Sequence, residues 1–167
     1  IVFDNESGGN GGGLYLGYHH GVAGPFIITN NIISYNRTAE RGGGFYVNDC
    51  TVIFTNNTIR LNIANEYGGG IYARFFDDNI ETNIYNNIIF NNIAPVGADI
   101  AVINDIDGNY FPSPLYLFNN DFDQSAQGTY IQIPFTIDSS NLNNIDPQFV
   151  DPDGPDDIPG NWTMIST

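Results

Sequence analysis

Three tyrosines recur in one frame: Tyr15, Tyr46 and Tyr72, each the second residue after a Gly-Gly-Gly run. On stacked extended segments their rings would lie about 4.8 Å apart. A row of exposed flat rings with hydroxyl handles can stack on sugar rings. Two residues further along stand Gly17, Asn48 and Arg74, and just beyond them His19, His20, Asp49, Asp77 and Asp78. This aromatic strip with a polar rim predicts a glycan-contacting surface of Tyr15, Tyr46, Tyr72, Asn48 and Arg74. The competing reading is like-on-like stacking that stabilises a sheet beneath its loops. Arg74 is the one Arg on these strands, with Asp77 and Asp78 three and four residues later. With Asp49 they form the candidate catalytic set, since a positioned base beside carboxylates can move a proton. Two acidic loops are candidate calcium sites: Asp105, Asp107 and Asn109, and Asp151, Asp153 and Asp156. Asp-x-Asp-Gly puts two carboxylates beside a Gly turn, which suits a hard cation. Neither loop has the full twelve-residue calcium pattern, and solvated acidic turns are the competing reading. His19 and His20 are adjacent, so on a strand they point apart and do not share a zinc ion.

The elements that would position these residues follow from the repeat. The Gly runs begin at Gly11, Gly42 and Gly68, 31 and 26 residues apart, and a degraded fourth reads Gly97-Ala98-Asp99. An Asn stands six residues before each intact run: Asn5, Asn36 and Asn62. Asn pairs recur downstream at Asn30-Asn31, Asn56-Asn57, Asn86-Asn87 and Asn119-Asn120. Three residues after the first Asn of each pair comes Ile33, Ile59, Ile89 or Phe122, and six after it Asn36, Asn62, Asn92 or Ser125. Self-similarity at such a period marks a solenoid or array.

Within each unit the apolar residues alternate. Leu14, Phe45, Ile71 and Ile100 form one column, and Leu16, Val47, Ala73 and Val102 the next. Phe26, Val52, Thr82 and Leu115, and then Ile28, Phe54, Ile84 and Leu117, repeat the pattern before the Asn pairs. Period-two spacing with β-branched and aromatic residues predicts strands with one buried face and no helix. The predicted class is all-β: a parallel β-helix of about five coils over residues 1–140. An irregular, acidic, Pro-rich segment over 141–167 covers or leaves it. Asn suits the corners because it tolerates left-handed backbone. Identical Asn side chains in stacked coils can also hydrogen-bond along the stack. The Gly runs are not phosphate loops, because no Lys-Ser/Thr follows and no helix opens after them.

Composition narrows the partners. The 167 residues carry four Arg, no Lys and a net charge of −15. That balance excludes nucleic acid as a partner and disfavours anionic membranes. No apolar run approaches the ~18 residues of a membrane span. The single Cys50 forms no internal disulfide and reads as a packing residue. Asn-x-Ser/Thr sequons at Asn5, Asn36, Asn56 and Asn161 match what an Asn-rich chain yields by chance. Val2-Phe3-Asp4-Asn5 aligns with Ile33-Ser34-Tyr35-Asn36, so the opening is expected to lie in mid-coil, as in a piece of a longer solenoid. An open coil edge of that kind allows self-association.

The Gly-Gly-Gly-Ile-Tyr openings and Asn-Asn-x-Ile-x-x-Asn returns resemble the right-handed parallel β-helix proteins of the pectin-lyase-like superfamily. Within it they resemble secreted and surface proteins with polymorphic-outer-membrane-protein-like repeats. The resemblance covers nearly the whole chain, and Ile145-Asp146-Pro147-Gln148-Phe149-Val150-Asp151 looks like the end of the β-helix in large sorted surface proteins. It implies an extracellular or cell-surface setting. A lyase of this fold resembling pectate lyase implies clustered carboxylates holding calcium and an Arg or Lys base, for which Arg74, Asp77, Asp78 and Asp49 are the candidates. Because one fold hosts many activities, the resemblance fixes architecture rather than chemistry. The expectation is a non-catalytic module that contacts glycans or other surface polymers through the tyrosine row. A polysaccharide lyase or hydrolase fragment and a structural stalk are the alternatives.

Overall fold

The computed structural model describes residues 1–17, 25–76, 80–103, 114–133 and 135–148. The chain is an all-β parallel solenoid of four sheets, three of them visited in the same order by successive coils and the fourth, sheet B, by the first three. Sheet A holds β1 (Val2–Phe3), β5 (Ile32–Ser34), β9 (Thr58–Arg60), β13 (Ile88–Phe90), β16 (Asp121–Phe122) and β19 (Leu142–Asn143). Sheet B is short: β2 (Glu6–Ser7), β6 (Arg37–Thr38) and β10 (Ile63–Ala64). Sheet C follows each Gly run: β3 (Leu14–Leu16), β7 (Phe45–Asn48), β11 (Ile71–Arg74), β14 (Ile100–Ile103) and β17 (Thr129–Ile131). Sheet D precedes each Asn pair: β4 (Phe26–Thr29), β8 (Val52–Thr55), β12 (Thr82–Tyr85), β15 (Leu115–Phe118) and β18 (Phe135–Ile137).

The predicted columns are the observed register. Leu14 pairs with Phe45, Phe45 with Ile71, and Ile71 with Ile100. Phe26 pairs with Val52, Val52 with Thr82, and Thr82 with Leu115. The inward residues form one continuous core that includes Ile33, Phe45, Val47, Phe54, Ile59, Ile84, Ile89 and Phe122. The solenoid makes about four turns rather than five. Five strands in each of sheets C and D enclose four coil-to-coil steps among the described residues. Sheet B, in the return between Asn and Gly run, was not anticipated; its two-residue strands carry no periodicity. At the other end β19 continues sheet A past residue 140, with the Asn144 amide donating to the Phe122 carbonyl.

The Gly runs answer two constraints, left-handed backbone and close approach of the next coil, seen at Gly42-Gly43-Gly44. Gly42 has φ +72°, where a side chain is strained. A Cβ on Gly43 would lie 2.4 Å from the Gly69 carbonyl oxygen of the next coil. A Cβ on Gly44 would lie 2.7 Å from the Gly70 carbonyl oxygen and 3.1 Å from the Asn62 side-chain nitrogen.

The asparagines divide the labour. The first of each pair, Asn30, Asn56, Asn86 and Asn119, turns the corner in left-handed conformation, with φ from 53° to 59°. The second belongs to a ladder: Asn31, Asn57, Asn87, Asn120, Asn141. A parallel ladder runs through Asn5, Asn36, Asn62 and Asn92. At every step both the backbone N–H and Nδ2 of one Asn donate to Oδ1 of the next, as from Asn36 to Asn62 at 3.0 and 2.9 Å. Nδ2 of Asn62 then donates back to the Ile33 carbonyl at 3.0 Å. These groups are buried where strands stop, so no sheet bond satisfies them; unpaired, each would cost about 1–3 kcal/mol. Corners before the other ladder are left-handed at Tyr35 and Leu61, with φ 59° and 55°. Residue types gave no sign of that.

Asn62→Ala removes the acceptor of two buried donors and is expected to cost about 3 kcal/mol. Asn65→Ala, at an exposed position, should change stability by less than about 0.5 kcal/mol. Urea denaturation of the two variants compares them; equal midpoints would mean that the ladder carries no weight.

Candidate functional site

The outer face of sheet C carries the tyrosine row. Parallel in-register pairing stacks Tyr15 on Tyr46 and Tyr46 on Tyr72. Ring centroids lie 4.9 and 5.0 Å apart, with interplanar angles of 8° and 21°. Ala101 and then Tyr130 continue the column. The row therefore exists, but the expected exposure does not. Tyr46 is 3% and Tyr72 1% exposed, whereas Tyr15 is 52% exposed. Tyr46, Tyr72 and Ala101 form a second apolar cluster outside the main core, with Tyr67 and Ile103 against it. Tyr67 comes from the turn before the Gly68 run and tilts onto Tyr72 at 6.4 Å. Arg41 lies 5.6 Å from the Tyr67 ring and 5.8 Å from the Tyr72 ring, while its Nε donates to Glu66 at 2.8 Å. A sugar ring cannot lie flat on Tyr46 or Tyr72. Period two says which side of a strand a residue takes, not whether another turn covers that side.

Burial pushes both phenols above their ordinary pKa, opposed by the positive charge of Arg74 at Tyr46 and of Arg41 at Tyr72. Both therefore stay neutral over the physiological range and pack as aromatic bodies.

Asn48 and Arg74 are brought together as adjacent register partners on β7 and β11. The Arg74 guanidinium carbon sits 4.2 Å from the Phe76 ring centroid, in cation–π range. Asn48 Oδ1 and Arg74 Nε are both buried without a hydrogen-bond partner. Asp49 follows in left-handed conformation, φ 56°, and its Oδ1 accepts from the Phe76 N–H at 2.8 Å. It is buried and serves as a corner acceptor. Asp77 and Asp78, the other half of the predicted catalytic set, lie outside the described residues, as do His19, His20, Asp105, Asp107, Asn109, Asp151, Asp153 and Asp156. Among the described residues no three His, Cys, Asp or Glu side chains gather around a metal-sized space. Cys50 packs in the core with its thiol pushed up to about 11 by burial. Of the sequons, Asn36 is buried in its ladder.

Two features escaped sequence reasoning. A groove of about 220 Å³ runs beside sheet B, lined by both charge signs, Glu6 and Arg37, with Thr38, Ile63 and Asn65. Asp99, on the degraded fourth Gly run, is 2% exposed, with its carboxylate between Asn92 and Asp123. The signal was present, since Asp99 replaces Gly in the same repeat that replaces Asn with Ser125. No family model, curated protein or solved structure matches this chain.

Tyr72→Ala should destabilise by about 3–5 kcal/mol, as for other buried aromatics. Tyr15→Ala, at the exposed end of the stack, should cost about 1 kcal/mol or less. Chemical denaturation separates them; similar losses would mean that the row is uniformly accessible.

Proposed function

We propose that this chain is a non-catalytic structural module of a secreted or cell-surface protein, a rigid β-solenoid spacer within the pectin-lyase-like group of β-helices. One observation carries the reading: the most repeated side chains face neighbouring coils rather than solvent. Two of the three tyrosine rings are covered, and both Asn ladders are consumed by coil-to-coil bonds. A solenoid built this way is a sum of coil-to-coil interfaces, and its length rather than a cavity is what it offers. The Lys-free, strongly acidic composition supports an extracellular setting through solubility. The family assignment rests on the Gly-Gly-Gly-x-Tyr and Asn-Asn-x-Ile-x-x-Asn motifs together with the parallel coils.

A second reading is polymer contact at the exposed end of the row. Tyr15 is open there, and Asn48 and Arg74 are half-buried on the same face. Arg74 also has no salt-bridge partner among the described residues.

Affinity electrophoresis against neutral and acidic polysaccharides, with and without calcium, distinguishes the two. The spacer reading predicts equal mobility for the native protein and a Tyr15→Ala/Arg74→Gln double variant in every gel. Retardation of the native protein that the double variant loses would replace it with the contact reading. Ultraviolet absorbance from unsaturated products in the same mixtures would overturn both in favour of a lyase.

A further inference from the structure

We propose that Asp99 makes the attachment of the last coil pH-dependent, holding it more tightly in mild acid than at neutral pH. The ladder that begins at Asn5 has a gap at its far end. Asn5, Asn36 and Asn62 each donate from N and Nδ2 to the next Asn, ending at Asn92. The six-residue spacing would place a fifth Asn at Ser125, whose hydroxyl instead accepts from Gln127 and Gly128 within its own turn. Asn92 is buried, so its two donors still need an acceptor.

Asp99 supplies it. It occupies the third Gly column, after Gly13, Gly44 and Gly70. The Ile71 N–H donates to the Asp99 carbonyl as the Phe45 N–H donates to that of Gly70. In the earlier coils a Cβ on Gly13, Gly44 or Gly70 would come within 2.6–2.7 Å of the next coil's carbonyl oxygen and within 3.0–3.1 Å of Asn36, Asn62 or Asn92 Nδ2. At Asp99 no ladder Asn follows, and the carboxylate takes the acceptor place that the next Asn would hold. Its Oδ1 accepts from Asn92 N at 3.4 Å and Nδ2 at 2.9 Å, and its Oδ2 from the Asp123 N–H at 3.0 Å. One side chain thus ties the fourth coil to the turn after β16.

The substitution differs from Asn in one respect: it can carry charge. The groups against it are the neutral Asn92 and the backbones of Asp123 and Gly128. The ionisable neighbour is Asp123, which is also acidic. Arg41–Glu66 is the ion pair among the described residues, and it does not involve Asp99. Burial of a carboxylate and a second acid beside it favour protonation, while donors facing it favour the charged form. Burial is the chief cause that pushes Asp99 up to about 6, the Asp123 charge adds to it, and the hydrogen bonds from Asp123 and Asn92 oppose it.

The direction follows. When the last coil opens, Asp99 meets water and returns toward its ordinary value of 3.8. The folded value is the higher one, so this contribution to stability is fully present below about pH 4. It is lost as pH rises through about 6 and is constant above that. Linkage over this gap makes opening roughly fiftyfold easier at pH 7.5 than at pH 4.

Carbon-13 titration of the Asp99 carboxyl and amide exchange at Asn92 and Asp123 test the proposal on the intact chain. The expected midpoint is near 6. Protection at both amides, corrected for intrinsic exchange rates, should fall roughly fiftyfold from pH 4 to pH 7.5. Asp99→Asn should remove that pH dependence. Asp123→Asn keeps the side-chain oxygen that caps Ser125 but removes the neighbouring charge, and should lower the Asp99 midpoint even if Asp99→Asn does not fold. A midpoint at or below about 4.5, a midpoint unmoved by Asp123→Asn, or the same pH dependence in Asp99→Asn as in the native chain would overturn the proposal.

Discussion

A parallel coil leaves polar backbone groups inside its corners, where strands end and no neighbouring strand reaches them. The Asn side chain resolves this at each corner by accepting from the coil before it and donating back to that same coil. Asn62 accepts from Asn36 N and Nδ2 and returns a bond to the Ile33 carbonyl. Asn87 does the same with Asn57 and Phe54. The pattern has a direction, since each amide takes from one side only in one orientation. Coils must therefore stack parallel and in register; a one-residue slip would turn the inward columns outward and part the ladders together.

Other features follow from that stacking. The second and third Gly of each run are small because the next coil's backbone lies against them, and a ladder Asn crowds the third as well. The tyrosine row stacks because in-register parallel strands place identical residues about 4.8 Å apart. The Tyr72 ring is then closed in by Tyr67 and by Arg41, held by Glu66. Such rings add packing outside the main core, in effect a second apolar layer on one face of sheet C. The repeat changes where Ser125 stands in place of Asn: Asp99 occupies the Gly column there, and its carboxylate accepts from Asn92.

Much of the architecture was legible because it repeats. Period-two columns gave the register residue for residue, from Leu14 with Phe45 to Leu117 with Ile84. Spacing gave both Asn series. What was hidden depends on contacts between different elements. Tyr46 and Tyr72 lie on the predicted side of their strand, but the turn carrying Tyr67 is 21 residues from the first and 5 from the second, and no local pattern announces the cover. Leu61 and Tyr35 hold left-handed backbone because of the coil's path, against their residue type. Asp49 was read for acid chemistry from its charge, yet its carboxylate caps the Phe76 amide.

The central claim is that Asn side chains, rather than backbone carbonyls, close the corners of every coil. Backbone amide exchange at Asn36, Asn57, Asn62 and Asn87 tests it most directly, since each of these N–H groups donates to the Asn Oδ1 of the following coil. The account predicts that these four amides exchange as slowly as strand amides such as that of Ile71. Exchange within about tenfold of free-peptide rates at the four positions, with the strands still protected, would contradict it.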